Sequence, residues 1–219
     1  MRPPVYPMYK TYVIHRKEDI TECPSFAVDH FMWNSILRPK TCGRMAYLSE
    51  QGLFVQMTCN ETNPKRDFKH HRDMVCKDSA MEAFFVFDSK AQPTEDSLYF
   101  NFDINAHGAM YAKYGRGRSN RQFISDDEYR LAGVQAKIEE NHWSVELLIS
   151  NKLLERVCGI PGLSDGDVFH CNFYKISEDP RIEHYAAYSP IKNDKPNFHM
   201  PQYFAKAVVC DAELRRITC

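Results

Sequence analysis

Apolar and polar residues alternate with a period of two along much of the chain, which is the pattern of half-buried β-strands. In residues 52–59 (GLFVQMTC), nearly every second side chain belongs to one apolar face. In residues 99–105 (YFNFDIN), three apolar side chains face one way and the intervening polar ones face the other. Each segment is therefore predicted to be a strand with one face on a core.

The same signal predicts strands elsewhere, at 44–48, 81–87, 134–138, 143–149, 168–176 and 204–210. Short polar loops join 44–48 to 52–59 and 134–138 to 143–149, so two hairpins are expected. One short helix is also expected, because Ser150 can cap it, Leu153 and Leu154 supply an apolar face, and Gly159 can end it. Many short strands with turns between them indicate an all-β sandwich or barrel.

Length and composition indicate a single globular domain. The chain has 219 residues, of which 43% are hydrophobic and 26% are charged. It shows no internal repeat and no linker composition, so residues 24–219 are predicted to form one domain. Residues 1–23 begin with a proline-rich stretch and are predicted to be an N-terminal arm.

Net charge argues against nucleic acid as a partner, and the length of the apolar runs argues against a membrane. Lys and Arg number 28 and Asp and Glu number 29, which gives a net charge of -1 instead of the basic excess of most nucleic-acid binders. The apolar runs are too short to span a bilayer. The first residues lack the apolar core of a secretory signal. The expectation is a cytoplasmic protein that binds neither nucleic acid nor membrane.

The eight cysteines are expected to be free thiols. No two are close enough to form a CxxC pair, so zinc ribbons and thioredoxin-like sites are not indicated. Without an export signal, a reducing compartment is expected, in which disulfides are rare. Several of these cysteines lie in apolar strand-like runs, where Cys packs as a small hydrophobic residue.

Eight motifs give the chain a family resemblance, in the order PSFAVDHFMWNSI, AYLSEQGLFVQMTCNETNP, VCKDSAMEAFFVF, YFNFDINAHGAM, HWSVELLIS, FHCNFYKISEDP, YAAYSPI and NFHMPQYF. Over residues 24–209 the chain resembles the family 9 carbohydrate-binding modules, in particular their stand-alone bacterial, DOMON-like branch. The resemblance implies a two-sheet antiparallel immunoglobulin-like β-sandwich. It also implies a non-catalytic protein that binds a small sugar or a glycan end in a slot at one end of the sandwich. No cofactor is required, a structural calcium ion is compatible with the family, and any glycoside hydrolase partner is a separate chain.

The family's ligand positions fall on six residues of this sequence: Cys76, Glu82, Asn101, Tyr188, Lys195 and Phe198. The resemblance implies that Glu82 keeps the family's glutamate and that Phe198 replaces one of two stacking tryptophans. Cys76 replaces the other tryptophan, and a thiol cannot stack on a sugar face. Asn101 stands near the family's arginine and Lys195 near its amide side chain. Tyr188 is expected to brace the binding end from beneath.

Two other functions remain open. A glycoside-processing hydrolase would need two carboxylates, and Glu82, Asp103 and Glu146 are the candidates. Alternatively, the slot has lost the ability to bind a sugar, and the domain now mediates contacts with other proteins. A slot filled by the protein's own side chains would favour this last function over sugar binding.

The remaining motifs favour structural roles. The basic segment 113–121 could hold a phosphate or an acidic sugar, but a solvated loop is favoured. The neighbours His70 and His71 point opposite ways on an extended segment, which argues against a shared metal. Oxygen-rich turns at Asp88, at Asp96 and at 165–167 are candidates for calcium. Haem is disfavoured. Both tryptophans, Trp33 and Trp143, are predicted to be core residues.

Overall fold

The computed structural model describes residues 8–87 and 91–211. This part of the chain forms the strands β1 Tyr9–Ile14, β2 Ser25–Ala27, β3 His30–Phe31, β4 Lys40–Leu48, β5 Gly52–Asn60, β6 Ala80–Val86, β7 Leu98–Asn105, β8 Met110–Arg116, β9 Asn120–Phe123, β10 Gln135–Ile138, β11 Trp143–Ser150, β12 Val168–Ser177, β13 His184–Ala187 and β14 Ala205–Cys210. It also forms the helices α1 Asp126–Ala132 and α2 Asn151–Cys158, with short 3-10 helices at Lys17–Glu22, Val75–Lys77 and Pro201–Tyr203.

The strands form one curled sheet in the order β10-β11-β5-β4-β1-β14-β12-β6-β7-β8-β9, with β2, β3 and β13 attached at its sides. The prediction of an antiparallel fold is wrong at one place, because β1 runs parallel to both β14 and β4. The sheet is therefore mixed. The all-β class and both predicted hairpins, β4–β5 and β10–β11, are confirmed. The immunoglobulin-like topology stays a prediction.

The predicted N-terminal arm contains a strand of the sheet. Residues 1–7 lie outside the described residues, but β1 begins at Tyr9 and joins the two halves of the sheet. Tyr9 is buried, and its hydroxyl accepts a hydrogen bond from the backbone N–H of Met45 at 3.0 Å. The β-branched and aromatic residues of 9–14 (YKTYVI) are a readable strand signal, which the prolines just before them obscured.

The main core lies between the two halves of the curled sheet. Apolar side chains of β4, β5 and β11 share one buried cluster with those of β6, β7 and β12. Trp143 lies in this cluster and is completely buried, as predicted, and its Nε1 donates to Glu61 at 3.0 Å. This arrangement is the sandwich expected from the strand pattern.

A second apolar cluster covers the opposite face of β6, β7 and β12. Phe84, Tyr99 and Tyr174 belong to it, so these strands are buried on both faces. The polar face expected on 99–105 is therefore not a solvent face. Trp33 packs against the edge of this second cluster and is partly buried, so its prediction as a core residue is confirmed in part.

The predicted helix is confirmed as α2, with Ser150 capping its start and Gly159 ending it in the left-handed conformation. Helix α1 was missed, although Ser125 and Glu128 form a reciprocal capping box that is readable from the sequence. The two helices are linked, since the Arg156 guanidinium donates to the Glu128 carboxylate.

The seven cysteines in the described part of the chain form no disulfide with one another, and Cys219 lies outside it. Within the same residues, the helices are too short and too polar to cross a membrane.

Candidate functional site

A cleft of about 440 Å³ opens over the outer face of the sheet, on the side away from the main core. Its walls come from the 3-10 helix Val75–Lys77, from residues 196–199 and from the β8–β9 hairpin. Its base lies near the strand end at which β6 starts and β7 finishes. We call this feature the cleft.

Two carboxyl groups form the floor of the cleft. Glu82 on β6 and Asp103 on β7 are direct cross-strand partners. Both residues are buried, with only 3% and 7% of their surface exposed. The floor follows from strand alternation, because Met81 and Ala83 on either side of Glu82 enter the main core. The prediction that Glu82 faces a slot is supported by this geometry.

Burial raises the pKa values of both carboxyl groups on the floor. Burial raises the pKa of Glu82 well above its ordinary value, and the nearby carboxylates of Asp103 and Glu178 raise it further. The pKa of Asp103 is raised to about 7, mainly by burial, against the lowering effect of its hydrogen bond from Asn101. Within the described residues, the Glu82 carboxyl makes no hydrogen bond.

An arginine reaches the cleft from an unexpected strand. Arg121, on β9, donates from Nη1 to the side-chain oxygen of Asn101, and its guanidinium lies 5.2 Å from the centre of the Tyr99 ring. The Asn101 amide nitrogen in turn donates to Asp103 at 3.0 Å. Asn101 thus lies behind the cleft wall and positions both a cation and an acid.

The basic segment 113–121 is a strand hairpin, and its prediction as a solvated loop is wrong. It comprises most of β8, the turn and the start of β9. Lys113, Arg118 and Arg121 from this segment line the cleft. Lys113 is held against the wall, with Nζ 4.4 Å from the centre of the Phe123 ring.

His199 supplies a neutral acceptor at the cleft. The Tyr99 hydroxyl donates to the carbonyl oxygen of Gly117 at 3.1 Å, so at its 3.0 Å contact with His199 it accepts from Nδ1–H. Burial, together with the positive charges of Arg121 and Arg118, lowers the pKa of His199 well below its ordinary value. Its Nε2 therefore carries a lone pair near neutral pH.

The family of this chain follows from its match to a protein-family model. A family model described as carbohydrate-binding family 9 matches residues 15–209. The chain belongs to this family. Membership makes it a non-catalytic carbohydrate-binding protein. No curated protein matches the chain.

Three solved structures share the fold. A candidate carbohydrate-binding protein from Bacteroides uniformis ATCC 8492 has a TM-score of 0.74 and 18% identity, covering 92% of this chain and 98% of that one. A family 9 module from Caldicellulosiruptor kristjanssonii in complex with cellotriose has a TM-score of 0.66 and 9% identity, covering 94% of each chain. Its glucose complex has a TM-score of 0.63 and 9% identity, covering 92% and 96%. At these identities the likeness shows the fold.

In this family 9 member, other residues occupy the two positions at which the family resemblance implies stacking tryptophans. Phe198 lines the cleft, but the residue is only 5% exposed because its ring stacks on Tyr174 with 4.0 Å between the ring centres. Cys76 also lines the cleft, and its thiol donates to Glu178 at 3.4 Å. Burial raises the pKa of Cys76, so the group remains a thiol and offers no stacking surface.

Other side chains supply apolar surface that the sequence argument missed. Met74, two residues before Cys76, is 46% exposed and lines the cleft. Tyr111 on β8 lines it as well, and its backbone faces Asp103 on the next strand. Met74 could have been noticed because it lies near Cys76 in the sequence, whereas no sequence pattern singles out Tyr111, which meets Asp103 only through strand pairing.

The structure does not bring Lys195 and Tyr188 into the cleft. Lys195 is exposed, and its carbonyl oxygen accepts from the Asn193 side chain. Tyr188 packs on the main core, 5.6 Å from the Phe26 ring centre, on the other side of the sheet. Glu146, a candidate for hydrolysis, accepts from Gln56 on β5.

The histidine pair does not form a metal site. His71 Nδ1 accepts from the backbone N–H of Met110, whereas the backbone N–H of His70 donates to Asp73. Within the described ranges, no group of three or more His, Cys, Asp or Glu side chains could hold a metal ion. Of the calcium turns, Asp88 lies outside the described residues, and Asp167 accepts from the Ser164 backbone.

Proposed function

We propose that the cleft is the carbohydrate-binding site of this protein, and that it holds a small sugar or a glycan end without reacting with it. The observation that carries the proposal is the Glu82 carboxyl, which is buried on the floor, faces the cleft and is unbonded within the described residues. A buried polar group without a partner is unfavourable, and a sugar hydroxyl would satisfy it. The family 9 module from C. kristjanssonii, which shares the fold, is known in complex with cellotriose and with glucose.

The chemistry of the cleft suits a polyol. A protonated Glu82 donates one hydrogen bond and accepts others, while Asp103 accepts from hydroxyls. Arg121 donates to hydroxyl oxygens from a fixed position. Met74 and Tyr111 offer apolar surface to the C–H groups of a ring. The volume lies within the range of pockets for small ligands.

The cross-strand pairing of Glu82 with Asp103 is the observation that favours the alternative of a hydrolase. The family is non-catalytic, and the third candidate, Glu146, lies on a different part of the sheet. The pair therefore serves as a polar floor for binding. Incubation with nitrophenyl glycosides should release no nitrophenol above the buffer rate.

The third alternative is a domain whose slot no longer binds a sugar and which contacts other proteins. The cleft is open and polar, with room for a ring, instead of being filled by side chains. This supports ligand binding over a role limited to protein contacts.

Calorimetry on the full chain tests the proposal. Glucose, cellobiose, cellotriose and the corresponding acidic sugars are titrated into the wild type and into Glu82→Gln. The variant keeps the shape of the floor but replaces the hydroxyl of the protonated carboxyl, which donates and accepts, by an amide NH2 that only donates. We therefore expect affinity to fall about tenfold, as for the loss of one hydrogen bond. Glu146→Gln is the matched control and should bind as the wild type does. Equal binding by Glu82→Gln, or no binding of any sugar, contradicts the site.

We further propose that binding needs no cofactor, that the protein works in a reducing, cytoplasmic compartment, and that any glycoside hydrolase partner is a separate chain. The free thiols of the described residues support the compartment. The structural calcium ion remains a separate proposal, and a rise in melting temperature on adding calcium to EDTA-treated protein would support it.

A further inference from the structure

Three cations line one wall of the cleft without forming a close ion pair within the described residues. Lys113, Arg118 and Arg121 all come from the β8–β9 hairpin. Within the described residues, none of them lies within 4 Å of a carboxylate oxygen. Near the hairpin but outside the cleft, Arg72 forms an ion pair with Asp126. We call these three side chains the basic wall.

The central guanidinium of the basic wall is held in place. Arg121 donates from Nε to the carbonyl oxygen of Arg118 at 3.1 Å and from Nη1 to Asn101, and it stacks over Tyr99. Its Nη2 makes no hydrogen bond within the described part of the chain. A fixed guanidinium with a free donor is prepared to bind an anion at little entropic cost.

The charges of the cleft add to a positive excess near neutral pH. Burial raises the pKa of Glu82 and favours its neutral form, and Asp103 is only partly ionised because its pKa is raised to about 7. His199 is neutral, since its pKa is lowered. Against the three cations of the basic wall stand only Glu178 at the mouth and part of the charge of Asp103. A neutral sugar leaves this excess uncompensated.

We propose that the cleft is selective for acidic sugars, namely hexuronic acids whose carboxylate binds Arg118 and Arg121 while their hydroxyls meet Glu82 and Asp103. This rests on the proposed function, because it names the ligand class of the same site. A carboxylate is planar and accepts two parallel N–H bonds from arginine side chains. An amino sugar would place its cation against the basic wall and is disfavoured.

Paired ligands that differ only at one carbon test the inference. Glucose is compared with glucuronic acid, and galactose with galacturonic acid, by calorimetry on the full chain. We expect the acid of at least one pair to bind about tenfold more tightly than its neutral partner, and the ratio to shrink when NaCl rises from about 50 to 500 mM. Equal binding within both pairs, or tighter binding of glucosamine than of glucose, overturns the inference.

Glucose 6-phosphate distinguishes the source of the negative charge. If it binds more tightly than glucuronic acid, the carboxylate assignment is overturned in favour of a sugar phosphate. If neutral sugars bind and acidic ones do not, this inference fails while the proposed function stands. If no sugar of any charge binds, both fail.

Variants of the basic wall complete the test. Arg118→Gln changes an exposed side chain and should abolish most of the preference for the acid over the neutral sugar. Arg121→Gln should do the same and also weaken neutral sugars, because its guanidinium serves both. Arg116→Gln is the matched control, since Arg116 is an exposed arginine of the same hairpin outside the cleft. An unchanged preference in Arg118→Gln and Arg121→Gln contradicts the assignment.

Discussion

At the scale of single residues, the floor of the cleft consists of polar side chains buried among aromatic ones. Asn101 is the clearest case, because it has lost direct access to the cleft and instead holds Arg121 and Asp103 in place. The family resemblance assigned an arginine near Asn101. The guanidinium is present, but it arrives from β9, twenty residues later in the chain.

The raised pKa of Asp103 predicts a specific dependence of stability on pH. An acid whose folded pKa of about 7 exceeds its unfolded value retains a proton that the unfolded chain has already released. Its contribution to the free energy of unfolding is therefore largest below about pH 4 and falls as pH rises to 7.

Asp103→Asn removes this titration. We expect the stability of the variant relative to wild type, measured by urea unfolding, to improve steadily between about pH 4 and 7. Asp194→Asn changes an exposed carboxylate and is the control, with a flat difference. A flat difference for Asp103→Asn would show that the floor does not hold its proton.

At the scale of elements, the β8–β9 hairpin carries the basic wall, and helix α1 supports it. The Tyr129 hydroxyl contacts both the backbone N–H and the carbonyl oxygen of Ala112 on β8. The capping box at Ser125 and Glu128 defines the start of this helix. The cleft therefore depends on an element that contributes no side chain to it.

Ser125→Ala removes the N-cap of α1. The hydroxyl accepts from the backbone N–H of Glu128, and loss of such a cap typically costs about 1 kcal/mol. We expect a loss of this size in the free energy of unfolding, measured with urea. Ser164→Ala, at an exposed serine whose hydroxyl is unbonded within the described residues, should change little. Equal effects of the two variants would mean that the cap does not stabilise the helix.

At the scale of the whole molecule, the curled sheet is held by burial on both faces of its central strands. Two apolar clusters sandwich β6, β7 and β12, and Cys59 and Cys171 are buried members of the main cluster. A core of this extent does not require covalent cross-links.

Reduction should therefore leave the fold unchanged. We expect the melting temperature to be the same, within about one degree, with and without dithiothreitol, because the described thiols form no disulfide whose loss would destabilise the fold. A disulfide-containing protein melted in parallel checks that the reductant is active. A drop of many degrees would reveal a disulfide and would argue against a reducing compartment.

The sequence by itself determined the all-β class, most strand positions, helix α2 and the family, because these depend on local periodicity, caps and ordered motifs. It also placed Cys76, Glu82 and Phe198 around one cleft. Only the tertiary structure decided which strand supplies the arginine, since Arg121 and Asn101 meet through sheet pairing between distant segments. It likewise decided that Lys175, within an apolar strand, is fully buried, because Ser79 and His184 from other segments accept its hydrogen bonds. Periodicity reports which face a residue occupies, whereas what covers that face depends on contacts between residues far apart in the chain.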